Sequence, residues 1–307
     1  MKKLFVRSML LILIICLCFS AIAIASPSDL DSYLAAIIDK HNMLISTTSE
    51  PERIILVGGS NLAFGIDSEL IEEETNIKTI NMGLHAGIGL NNILKDTEKY
   101  IQSGDIIIIV PEYEHFYDKN ADGESALYEV AQFDKSFILN IKPTRIPLMI
   151  ISIFQLKASM LILSSTQATN DLYLRDDFNK HGDVIGHINK PSPELSQAIK
   201  TRILVDSKYN TETIKNIMKY SAYANSKGAR VYLTYPSLMN TSYLASRDKV
   251  HKVEYTLNKS EINIVGTPEE FVYNDNLFYD TRYHLNGEGR NIRTNDLIKV
   301  IKTEIIR

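Results

Sequence analysis

The chain has 307 residues, 45% of them hydrophobic and 23% charged, enough for one large core or two modest ones. A formal net charge of −4, with a pI of about 6.0, gives no reason to expect a nucleic-acid partner. Both cysteines, Cys16 and Cys18, fall within the first 25 residues, so the rest has no disulfide, no cysteine metal site and no thiol nucleophile.

Those first residues read as an export segment. Lys2, Lys3 and Arg7 precede an apolar run from Met9 to about Ala25, and Ala23-Ile24-Ala25 fits a signal-peptidase site with Ser26 as the first mature residue. The run is slightly long for a signal peptide and slightly short for a spanning helix. Cleavage is preferred over a retained N-terminal membrane anchor. Both place residues 26–307 outside the cytoplasm, in the periplasm or on the outer face of the membrane.

Apolar spacing predicts a helix between Pro27 and Pro51. Strands and helices then alternate. "RIILVGG" reads as a buried strand, and "SELIEEETN" as a short helix capped by Asp67 or Ser68. "IKTINMG" is a second strand, "GLNNILKDTEKYIQSGD" a helix stopping near Gly104, and "DIIIIVPEY" a third strand buried on both faces. From about 114 to 207 the rhythm breaks. "RIPLMIISIFQLKASMLILSS" is apolar but carries Arg145, Gln155 and Lys157; it reads first as a helical insertion packed on the domain and second as a surface touching membrane or a membrane partner. "LYLRDDFNKHGDVIGHINKPSPE" reads as polar loop. Then come a helix ending at Gly228, a strand "RVYLTYPS", another helix, a short strand "INIVGTPEEF" and a closing helix. The expectation is a single α/β domain: a mostly parallel five-stranded sheet with covered faces, plus the insertion.

In an open parallel sheet, ligands collect beyond the carboxyl ends of the strands. Gly59, Ser60 and Asn61 lie there after strand one, Gly83 and Gly87 after strand two, Glu112 and Tyr113 after strand three. Near the other terminus, "FYDTRYHLNGEGR" carries Asp280 and His284 before the last helix, with Asn286 as a candidate cap. A serine nucleophile needs a base, and the base needs a group that fixes its tautomer. Ser60, His284 and Asp280 have those types. Taken singly, each has a bland reading: Ser60 as a turn residue, Asp280 as a loop or cap residue, His284 as structural. His85 and His115 are competing bases. No metal site is expected, since no His-x-x-x-His pair occurs, and no cofactor, since "GGSNLAFG" fits neither a P-loop nor a dinucleotide fingerprint.

At "GGSN", "NMGLHAGIG" and "FYDTRYHLNGEGR" the sequence resembles the SGNH (GDSL-type) hydrolase superfamily. The resemblance implies a three-layer α/β/α sandwich of flavodoxin-like type and a signal peptide or anchor at 1–25. It makes Ser60 the nucleophile and Asp280 and His284 the orienting acid and base. Gly87 is the first choice for the oxyanion donor and Gly83 the second. Two departures stand out. The third block lacks its Asn, with Glu112 or Tyr113 in that region, leaving an oxyanion hole of Ser60 and Gly87 amides plus Tyr113, or an incomplete one. Asp280 and His284 are separated by three residues where the family has two. Both lean toward extracytoplasmic SGNH-like proteins of polysaccharide O-acetylation and teichoic acid D-alanylation, which act beside a membrane-bound O-acyltransferase. The implied function is secreted or cell-envelope ester hydrolysis or acyl transfer on a cell-surface polysaccharide through acyl-Ser60. The alternatives are a catalytically weak binding or assembly factor on the same fold, and an unrelated α/β ligand-binding protein.

Overall fold

The apolar run behind the basic N-terminus forms one helix, α1 (Lys2–Ala25). This computed structural model describes residues 2–25, 29–166, 173–197, 199–200, 203 and 207–306. The expected first mature residue, Ser26, thus lies outside the described residues, as do residues 167–172 and most of 201–206 in the expected insertion.

A 3₁₀ turn at Tyr33–Ala36 leads into α2 (Ile37–Ser46), where one longer helix was expected. Next come β1 (Arg53–Gly58), the one-and-a-half-turn α3 (Ser60–Gly65) and α4 (Ser68–Thr75). Asp67 caps α4, its carboxylate accepting from the Leu70 N–H at 3.2 Å. β2 (Lys78–Asn81), α5 (Leu90–Thr97) and β3 (Ile106–Val110) continue the alternation. The insertion supplies α6 (Ser125–Val130) and α7 (Ile146–Thr166). The alternation resumes with α8 (Glu212–Ser226), β4 (Arg230–Leu233), β5 (Leu238–Met239), α9 (Asn240–Leu257), β6 (Val272–Tyr273) and α10 (Gly287–Val300). Asn286 caps α10 through the Gly289 N–H.

The main sheet runs β2–β1–β3–β4, every pairing parallel. Every residue of β1 and β3 is buried. Alternate residues of a strand face opposite sides, so both faces of the sheet are covered. The expected fifth strand reduces to a single bridge between Leu233 and Ile264. Gly266 takes φ 68° and Pro268 opens a 3₁₀ turn, so the chain leaves the sheet after one pair. The sheet therefore has four strands rather than five, and β5 and β6 pair separately.

One polar contact ties the sheet's amino end. Arg53 and Asp105, both fully buried, meet through two hydrogen bonds of 2.8 and 2.9 Å, and Arg53 Nη1 also donates to the Leu44 carbonyl at 2.8 Å. The pair's hydrogen-bonding capacity is well used, which a desolvated ion pair requires. Outside the sheet, α1 packs against α7, and α7 against α6. Among the residues whose side chains are described, which end at Cys18 in α1 and at Lys157 in α7, no helix is long and apolar enough to cross a membrane.

Candidate active site

β1 lies between β2 and β3, so the chain passes to one side of β1 and then crosses to the other. That makes the β1–β3 edge the topological switch point, where a cleft opens. Gly58 and Val110 are register partners there. A Cβ on Gly58 would stand 2.5 Å from the Val110 carbonyl oxygen, and one on Gly59 2.8 Å from Glu112 Oε1 and 3.0 Å from Ala86 Cα. The two glycines thus let three strand ends close on one point. Ser60 follows as the first residue of α3 and lines a cavity of about 480 Å³ with His85, Gly87, Glu112, His115, Tyr173 and His284.

Asp280 and His284 sit in the tight return between Phe278 and Leu285, which form a bridge. His284 Nδ1 lies 2.8 Å from Asp280 Oδ1, so the three-residue gap still lets acid and imidazole meet. Burial would raise the Asp280 pKa, but the bond and charge of His284 and a bond from Tyr173 outweigh it and hold the carboxylate below its usual value. Asp280 is therefore ionised at neutral pH, Nδ1 carries the proton it accepts, and Nε2 is the nitrogen left for the cavity. The ring stacks on Phe64 at 4.1 Å between centroids and 5° between planes. Ser60 and Phe64 are i and i+4 on α3, one face, which sets His284 over the same helix that carries the serine.

Tyr173 is a site residue that sequence reasoning did not identify. Its hydroxyl donates to Asp280 Oδ2 and lies 3.5 Å from His284 Nδ1. Its ring meets those of Tyr33 and Phe64 at 5.5 and 5.4 Å, and its backbone takes φ 65°. The segment after it, expected as plain loop, is pinned by buried Asp183. That carboxylate accepts from Ser68 Oγ at 2.6 Å and Asn81 Nδ2 at 2.8 Å.

The other expected residues divide. Asn61 is buried and directs its side chain to the Val110 carbonyl and to Glu112. The Gly87 N–H donates to His85 Nδ1 and the Gly83 N–H to Asn81 Oδ1, each at 2.9 Å, so both glycine amides are engaged. Tyr113 does not line the cavity; its buried hydroxyl lies in the field of Tyr235 and Arg293. Of the competing bases, His115 is bonded through Nε2 to the Ala86 carbonyl at 3.1 Å, and burial lowers its pKa to about 4. His85 is exposed at the mouth; desolvation by its neighbours, then the charge of His284, lower its pKa.

Away from the cavity, His41, Asp96 and Asp134 bring three ligand-type atoms within 4.8 Å of one another. Lys99 Nζ stands 2.8 Å from Asp96 and 3.7 Å from Asp134, so an ammonium already serves as the counter-charge there. No protein-family model and no curated protein matches this chain.

Proposed function

We propose that the chain is an SGNH-type serine esterase or O-acyltransferase of the cell envelope. The observation that carries this is the oriented Asp280–His284 pair facing the same cavity as Ser60, at the switch point of a parallel sheet. Ser60 Oγ adds to the acyl carbon and gives its proton to His284 Nε2. The carbonyl π pair moves to oxygen. Collapse of that oxyanion breaks the bond to the departing alkoxide, which takes the proton from His284. An acceptor hydroxyl then gives its proton to His284, attacks acyl-Ser60, and releases the serine, which regains a proton from the imidazolium. With water as acceptor the outcome is hydrolysis; with a sugar hydroxyl it is transfer. The acceptor is a cell-surface polysaccharide, and a membrane-bound O-acyltransferase is the acyl-supplying partner. In this reading the flanking helices and the bridge at Ile264 complete a three-layer sandwich. Incubation with p-nitrophenyl acetate, with and without a sugar acceptor, tests it; acetyl-Ser60 in the mass spectrum is the expected result.

The engaged amides of Gly83 and Gly87 favour a second reading, a binding or assembly factor with little turnover. Saturable polysaccharide binding without any acyl-Ser60 would select it.

We further infer export. From Met9 to Cys18 α1 is apolar on every side, with Met9, Leu11, Ile12 and Leu17 each more than half exposed, and a helix apolar all round suits lipid better than water. The Arg145–Ser165 stretch, whose helix packs on α1, is proposed to meet the same membrane or a membrane partner. N-terminal sequencing of the exported protein checks this. A start at Ser26 means cleavage, an intact Met1 in the membrane fraction means an anchor, and a cytosolic protein rejects both.

A further inference from the structure

Acyl chemistry at Ser60 needs donors for the oxygen that turns negative in the tetrahedral intermediate. The glycine amides expected to supply them already donate to His85 and Asn81. At the third strand end stands a carboxyl. Because Gly58 and Val110 are register partners, Ser60 and Glu112, two residues further along each chain segment, emerge side by side. Glu112 is 7% exposed and lines the cavity with Ser60, its Oε1 only 2.8 Å from where a Cβ on Gly59, the residue before the serine, would stand. Its Oε1 accepts from Asn61 N–H and Asn61 Nδ2, both at 3.4 Å, which leaves Oε2 to carry a proton.

We propose that Glu112 acts as a neutral carboxylic acid, a catalytic residue that donates its O–H to the oxyanion in place of the side-chain amide expected after β3. This rests on the serine acyl-transfer reading. Glu112 keeps its proton through both half-reactions; its O–H turns to the oxyanion as that charge develops beside Ser60. The charges around it suit a neutral acid. Glu114 on its own segment is anionic when ionised, though Tyr283 and Arg282 partly hold it. Tyr33 and Tyr283 face Glu112 from the segments before α2 and α10. His85, His115 and His284 line the cavity, and the first two are held toward their neutral forms. Burial, then the charge of Glu114, raise the Glu112 pKa from 4.5 to about 8 against the hydrogen bonds of Asn61 and Ser60. Above that pH the donor is lost and a second negative charge faces the oxyanion, so the rate falls as pH rises.

The test follows phosphonylation of Ser60 by a fluorophosphonate, and p-nitrophenyl acetate turnover, between about pH 6 and about pH 9.5. The wild type is expected to lose roughly tenfold per pH unit beyond its alkaline pKa. Glu112→Gln, whose amide donates but cannot ionise, should run slower but without that alkaline fall, and Glu112→Leu should lose roughly 10²–10³-fold at neutral pH. Melting temperature gives a readout free of turnover. The folded state binds the Glu112 proton more tightly than the unfolded chain, so wild-type stability relative to Glu112→Gln falls as pH rises from 4.5 through about 8. A Ser60 labelled with the same alkaline fall in Glu112→Gln, or a melting difference flat across that window, overturns the assignment. An unlabelled Ser60 with no ester turnover removes the serine reading and the donor role with it, while the melting difference still reports the protonation state.

Discussion

Ser60→Ala is expected to lower ester turnover by roughly 10⁴-fold or more while the melting temperature moves little. The side chain is small and lines the cavity, so alanine removes little packing, and even one lost hydrogen bond costs only about 1 kcal/mol. The catalytic loss is far larger because both half-reactions of the proposed chemistry run through that oxygen. His284→Ala should cost about as much, and the double variant hardly more, since a serine without its base and a base without its serine both leave the other idle. His85→Ala and His115→Ala are the controls. His115 is fixed on the Ala86 carbonyl and His85 on the Gly87 amide, so neither is placed to take the serine proton, and each should lose under tenfold. Kinetics with p-nitrophenyl acetate and circular dichroism on the same samples check both halves. Turnover that survives Ser60→Ala would move the chemistry elsewhere or assign it to a contaminant.

The four sheet strands were legible because each is a short run rich in β-branched and apolar residues, closed by a glycine, a proline or a polar residue. "IIIIV" needed nothing from the rest of the molecule to be read as doubly buried. "INIVG" carried the same signal, but Gly266 and Pro268 end it after one bridge, and a backbone φ of 68° cannot be read from composition. α3 escaped because six residues hold too little periodicity to announce a helix. In the site, Ser60, Asp280 and His284 were legible as chemical types, and the strand ends gave their meeting place. Tyr173 was not, since a tyrosine in a polar stretch looks like any loop residue until tertiary structure brings it to Asp280, 107 positions away. The engaged glycine amides fall between these cases. Asn81 to Gly83 and His85 to Gly87 are both i to i+2 bonds, a local competition that short polar side chains favour and that the sequence did contain.

Asp280→Asn is expected to damage the enzyme more than Asp280→Ala, an inversion of the usual order of severity. The asparagine is nearly isosteric and keeps the contact to His284 Nδ1, 2.8 Å away in the wild type. Its NH₂ group can donate there, which makes Nδ1 an acceptor and puts the ring proton on Nε2. A ring protonated at Nε2 cannot accept the serine proton, and a drop of roughly 10⁴-fold follows. Alanine removes the charge but imposes no tautomer. The Tyr173 hydroxyl oxygen, 3.5 Å from Nδ1, or a water entering the vacated space can then accept the Nδ1 proton and leave Nε2 free. Turnover of Asp280→Ala should therefore exceed that of Asp280→Asn by at least roughly tenfold. The rescue depends on Tyr173, so Tyr173→Phe should be mild in the wild-type background and costly in Asp280→Ala. This coupling is measured by the double-mutant cycle on kcat/KM. Equal losses for the two Asp280 variants, with no coupling to Tyr173, would mean that the carboxylate acts only through its charge. Orientation of the imidazole would then fall to its stacking on Phe64.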